Sequence, residues 1–127
     1  MLYRVESRKS LAEVSRSLEV AAPKYKFGIL AVHDLKAKLQ EKGVEFERDC
    51  RVYEVCNPQQ AKKVLEANPE ISTALPCRIA VFSEGADVTL ATLRPAALIA
   101  LFHRPELRAV AEEVEEVIVK IMNEAAG

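Results

Sequence analysis

What this sequence has little of excludes several classes of protein. It contains only four glycines, and they are isolated, so it has neither a GxxxxGK[ST] phosphate loop nor a GxGxxG dinucleotide motif. It has no apolar run as long as the roughly 20 residues that a membrane-spanning helix needs. Its first residues also lack the long apolar stretch of a signal peptide. We therefore expect a cytoplasmic protein with no membrane partner.

Neither positive nor negative charge predominates in the chain, and aromatic residues are few. Its 18 Lys and Arg and 19 Asp and Glu are interspersed and leave a formal net charge of −1. Proteins that bind nucleic acids usually carry a basic patch that neutralises phosphates. Tryptophan is absent, and the tyrosines and phenylalanines are too dispersed to form a base-stacking platform. We expect no nucleic-acid partner.

Cysteine and histidine are too sparse for a recognisable metal site. The three cysteines are an odd number, which disfavours a disulfide framework, and no CxxC or paired-histidine spacing indicates zinc. No HExxH or GxSxG motif occurs either. The sequence thus assigns no cofactor, and a metal stays unknown. Asn and Gln are scarce whereas Glu, Arg, Ala and Leu are abundant, which favours a thermophilic source.

Five short segments have the apolar or alternating pattern of strands. They lie near residues 2–6, 26–33, 50–56, 77–83 and 87–93. Gly85, in the short polar connection between the last two, predicts a β-hairpin. Residues on both faces of these two strands are apolar, although a solvated sheet face would alternate with polar residues. Either the C-terminal helices or a second subunit must cover the second face, and we expect a homodimer.

Helix-start signals follow the first three strands. Ser10, Asp34 and Asn57 are predicted N-caps, and Pro58 suits the first position of its helix. Gln60 lies three residues after Asn57, which predicts a capping box in which the Gln side chain reaches back to the N-cap amide. Further helices open at prolines 95 and 105. The sequence predicts one α+β domain over residues 1–127, with helices packed on a mixed or mainly antiparallel sheet.

Cys56 has two interpretations. It ends a strand beside a helix N-terminus, where backbone N–H groups lower a thiol pKa and favour the reactive thiolate. The alternative is that Cys56 and Cys77 pack as small hydrophobic residues. If the intervening helix crosses the sheet, the two cysteines fall at opposite ends, beyond disulfide reach. The connection from Pro69 to Pro76 could instead return the chain to the end of the sheet where Cys56 lies, and both arrangements stay open.

His33 ends the second strand just before its own N-cap, as Cys56 ends the third. If these strands are parallel, both helix N-termini open at one edge of the sheet, where anions bind. The imidazole and the thiol would then form a nucleophile–base pair. The alternative is that His33 is an ordinary polar residue at the end of a strand.

The run CNPQQAKKVLEANPEISTALPCRIAVF, preceded by KFGILAVHDLKAKLQEKGVEF, resembles the bacterial and archaeal family called domain of unknown function 302. The resemblance covers roughly residues 25–102 and includes Cys56-Asn57-Pro58 and Leu75-Pro76-Cys77. It implies a curved, mainly antiparallel sheet with packed helices, similar in outline to the TATA-binding-protein fold, and a dimer. It implies no established activity, but it marks Cys56 and Cys77 as site candidates.

Three functions agree with these patterns. The first is a homodimer that binds a small ligand or ion near the strand-to-helix junctions. Its candidate ligand-binding residues are His33, Cys56, Asn57 and Cys77. The second is a thiol- or metal-dependent enzyme that uses Cys56 with Cys77 or His33. The third is a structural or interaction module.

Overall fold

The computed structural model describes all 127 residues and contains one five-stranded sheet. The strands lie in the order β1-β5-β4-β3-β2, and every neighbouring pair is antiparallel. Their bounds are β1 (Leu2–Ser7), β2 (Gly28–Asp34), β3 (Cys50–Cys56), β4 (Cys77–Glu84) and β5 (Asp87–Leu93). The α+β fold with a mainly antiparallel sheet is confirmed.

Five α-helices and two short 3-10 helices connect and cover these strands. The α-helices are α1 (Leu11–Lys24), α2 (Leu35–Glu41), α3 (Pro58–Ala67), α4 (Pro95–Ala100) and α5 (Arg108–Ala126); the 3-10 helices are Pro69–Ala74 and Pro105–Leu107. The predicted N-caps Ser10, Asp34 and Asn57 are all confirmed, because each side chain accepts a hydrogen bond from a first-turn amide. None of the helices combines the length and apolarity needed to cross a membrane.

The main core lies between one face of the sheet and helices α1 and α5. The strands contribute inward residues such as Tyr53, Ile79 and Leu90, which pack against Leu18 and Ile118 of the helices. A second, smaller cluster beside the sheet joins α3, both 3-10 helices, α4 and α5. It consists of Val64, Ile71, Ile99, Leu107 and Ala111. This second cluster holds the elements that surround one end of β3 and β4.

The other face of the sheet, which we call the open face, lies opposite the helices of the main core. Side chains alternate along each strand, so this face carries Val52, Glu54, Ala80, Phe82, Thr89 and Ala91. Helix α5 packs on the same side as α1 and therefore leaves the open face uncovered. Thr89 and Ala91 are nevertheless buried on it, with 0% and 8% exposure. The cytoplasmic location, the thermophilic source and the absence of a nucleic-acid partner stay predictions.

Candidate functional site

The end of β3 and the start of β4 form one junction at the same end of the sheet. Their antiparallel register pairs Val55 with Cys77, so Cys56 and Cys77 are close neighbours. Of the two arrangements that the sequence left open, the one with the two cysteines at opposite ends of the sheet is not observed. Helix α3 and the first 3-10 helix return the chain to the same end of the sheet at which β3 finishes. Both cysteines are free thiols.

A cavity of about 340 Å³ opens at this junction, and we call it the junction cavity. It lies between the sheet end and the elements α3, the first 3-10 helix and α4. Most of its lining is apolar, including Phe27, Val55, Ala61, Val64, Leu75 and Leu98. Three of the four candidates from the sequence, Cys56, Asn57 and Cys77, also line it, whereas His33 does not.

Asn57 builds the wall of the cavity by starting α3. Its Oδ1 accepts hydrogen bonds from the backbone amides of Gln59 at 3.1 Å and Gln60 at 3.2 Å. Pro58 has no N–H to offer. The first amides of α3 are therefore satisfied by the cap, and little of this helix N-terminus is left to bind an anion.

Gln60 is a site residue that the sequence interpretation misassigned. The predicted capping box at α3 is wrong, because the Gln60 Oε1 atom is buried and has no hydrogen-bond partner. A buried acceptor without a partner costs about 1–3 kcal/mol. Gln60 also lines the junction cavity. Its position four residues before the buried Val64, on the same stripe of the helix, was the signal that it faces inward.

The thiols at the junction are neutral. Burial raises the pKa of the Cys56 thiol above its usual value. Burial and the neighbouring Cys56 raise the pKa of Cys77 to about 11. The predicted lowering of the Cys56 pKa by the helix N-terminus is therefore wrong. Near pH 7 both side chains present weakly polar S–H groups to the cavity wall, which suits an apolar pocket better than nucleophilic chemistry.

His33 lies far from the cavity, so the predicted shared edge is wrong. Strands β2 and β3 are antiparallel: Gly28 pairs with Cys56, and His33 pairs with Val52. His33 lies five residues after Gly28, a separation of about 16 Å along the strand. Residues 33 and 56 therefore do not form a nucleophile–base pair, and the two helix N-termini do not surround one site.

The imidazole of His33 has other partners on the sheet. The Lys38 ammonium donates to Nδ1 at 3.0 Å, and Nε2 bonds the carboxylate of Glu54. The hydrogen bond from His33 lowers the pKa of Glu54. No group of three or more His, Cys, Asp or Glu side chains is arranged to hold a metal ion. Nothing in the donor set therefore favours the metal-dependent alternative.

Comparison with known proteins agrees with the fold and adds no activity. A crystal structure of an uncharacterised conserved DUF302 protein from Bacillus stearothermophilus superposes with a TM-score of 0.93 at 29% identity, over 98% of this chain and 97% of that one. No curated protein matches the chain. The family model described as "Domain of unknown function DUF302" matches residues 3–125, nearly the whole sequence. The chain therefore belongs to the DUF302 family, as the Cys-Asn-Pro and Leu-Pro-Cys motifs indicated.

Proposed function

We propose that this protein binds a small, largely apolar organic molecule in the junction cavity. The observation that carries the proposal is the cavity itself, about 340 Å³ in volume and lined mainly by apolar side chains. Ligand pockets are typically concave, about 300–1,000 Å³, and apolar with a few polar groups. Protein interiors otherwise pack with few voids larger than a water molecule. A cavity of this size is therefore a feature that a purely structural module would not need.

Apart from Arg78, the polar groups that line the cavity are neutral and suit a ligand of this kind. Cys56 and Cys77 present thiols that burial keeps protonated, and Gln60 contributes an amide whose oxygen has no partner. An apolar ligand would gain free energy by leaving water, at about 25 cal/mol for each Å² of buried apolar surface. These features favour binding over a thiol-dependent reaction, which needs an accessible thiolate.

Fluorescence of N-phenyl-1-naphthylamine, a neutral dye that brightens in apolar surroundings, tests the proposal. We expect a saturable rise in fluorescence with the wild-type protein. Ala61 lines the cavity, so Ala61→Leu should fill part of it and weaken dye binding by about tenfold, the cost of overpacking a well-fitted site.

The matched control is Ala109→Leu, which adds the same group to an exposed position of α5. It should bind the dye as the wild type does. A wild-type signal that never saturates, or equal binding by the wild type and Ala61→Leu, would contradict the proposal.

We further propose that the chain forms a homodimer through the open face. The centre of this face is apolar, with Ala80, Phe82 and Ala91 on adjacent strands. Charges of both signs flank it, including the ion pair of Arg4 with Glu84 at 2.8 Å. A two-fold symmetric interface requires such a self-complementary surface.

Sedimentation at micromolar concentration should give twice the mass of the chain. Ala80→Arg places a charge at the centre of the open face and should yield monomers, because an unpaired charge in an interface is costly. Gln59→Arg adds the same charge at an exposed position of α3 and should remain dimeric. A monomeric wild type would refute the dimer without bearing on the junction cavity.

A further inference from the structure

We infer that the ligand of the junction cavity is an amphipathic carboxylate, whose apolar body fills the cavity and whose charged end meets Arg78 at the rim. This inference rests on the function proposed above and adds the chemical class of the ligand. It comes from the distribution of charge around the cavity.

Arg78 is the only charged residue among the 19 that line the junction cavity, and no acidic residue is among them. Arg78 and Leu93 lie at the end of the open face, two residues beyond Ala80 and Ala91 of its apolar centre, and both are exposed to solvent. This position places them where the cavity meets water. The walls farther in are apolar or neutral. A carboxylate inside those walls would lose its hydration without a cationic partner, at a cost of many kcal/mol. The charged end of a ligand therefore stays at the rim.

Arg78 has no ion pair of its own in the protein. Its cross-strand neighbour Glu54 is the natural partner, since their positions are paired in the β3–β4 register. However, Glu54 bonds His33, and its carboxylate makes no ion pair with Arg78. The His33–Glu54 pair thus leaves the guanidinium available to a second carboxylate.

The helix start near the cavity does not offer an equivalent site. Asn57 already occupies the first two amides of α3, at Gln59 and Gln60. A guanidinium, by contrast, presents parallel N–H groups that match the two oxygens of a carboxylate. Arg78 is therefore the group that binds the carboxylate end of the ligand.

Displacement of the bound dye by octanoate and by octan-1-ol tests this inference, because the two probes share an apolar chain and differ in charge. We expect Arg78→Gln to weaken octanoate binding by about tenfold, as expected for losing a charge-assisted hydrogen bond, and to change octan-1-ol binding by less than about twofold. Arg8→Gln, at an exposed position of the loop after β1, should leave both affinities unchanged.

Glu54→Gln supplies a second variant with the opposite expected sign. It removes the negative charge beside Arg78, so octanoate should bind about two- to threefold more tightly while octan-1-ol binding stays the same. If Arg78→Gln leaves octanoate binding unchanged, or weakens both probes equally, the inference is overturned, although octan-1-ol binding would still support the proposed function. If neither probe displaces the dye from the wild type, the proposed function fails and the inference fails with it.

Discussion

Cys77 should react with iodoacetamide at pH 8 about a hundredfold more slowly than a cysteine of ordinary pKa. The reason is that alkylation requires the thiolate, and burial raises the Cys77 pKa from 9.0 to about 11. At pH 8 the thiolate fraction of Cys77 is therefore about a hundredfold smaller than that of an ordinary cysteine. The rate should rise about tenfold for each pH unit until the pH approaches 11. Timed alkylation followed by mass spectrometry of the Cys77 peptide measures it.

The denatured protein is the control for this experiment, because unfolding removes the burial and should restore the ordinary rate. Cys56 and Cys50 provide internal comparisons, since burial raises their pKa values as well but Cys77 shows the large shift. Rapid alkylation of Cys77 at pH 7, with an apparent pKa below 9, would support the thiol enzyme and contradict the neutral cavity wall described above.

Gln60→Leu should raise the free energy of unfolding of the unliganded protein by about 1–3 kcal/mol. The substitution removes a buried oxygen that has no hydrogen-bond partner, and it places a side chain of similar size against apolar neighbours. Most substitutions destabilise a protein, so a gain of this size is diagnostic. Urea denaturation, with the midpoint and slope fitted separately, measures it.

The matched control is Gln59→Leu, the same substitution one residue earlier at an exposed position of α3. Surface changes of this kind are expected to stay within about 0.5 kcal/mol. A loss of stability in Gln60→Leu that exceeds 1 kcal/mol would mean that the amide has a partner in solution, and the account of this wall of the cavity would then be wrong.

Local patterns predicted the elements of this fold well. Alternation located four strands and a short apolar run located β2, while the short polar residues Ser10, Asp34 and Asn57 located three helix starts. These signals all act within a few residues along the chain. The hairpin around Gly85 follows from the same kind of signal. Its φ of 62° lies in the left-handed region that glycine adopts without strain.

Strand direction was the part that the sequence could not determine. Helices between strands are typical of parallel crossovers, and α1 is one, because it joins β1 to the parallel strand β2 at the opposite edge of the sheet. The connections through α2 and α3 instead return the chain to the end of the sheet that it left, so that β2, β3 and β4 are antiparallel neighbours. This difference moved His33 away from Cys56 and brought Cys77 beside it. Three of the four candidate residues still line one cavity, since Cys56 and Asn57 are adjacent in the chain and Cys77 pairs with Val55.

The central claim is that the junction cavity binds an apolar molecule, and the most direct test is a titration of isotopically labelled protein with octan-1-ol, followed by amide NMR spectra. The account predicts saturable shifts at residues that line the cavity, such as Cys56, Gln60 and Leu75, with the open-face residues Thr89 and Ala91 unchanged. Shifts that grow linearly without saturation, or that appear on the open face instead, would contradict it.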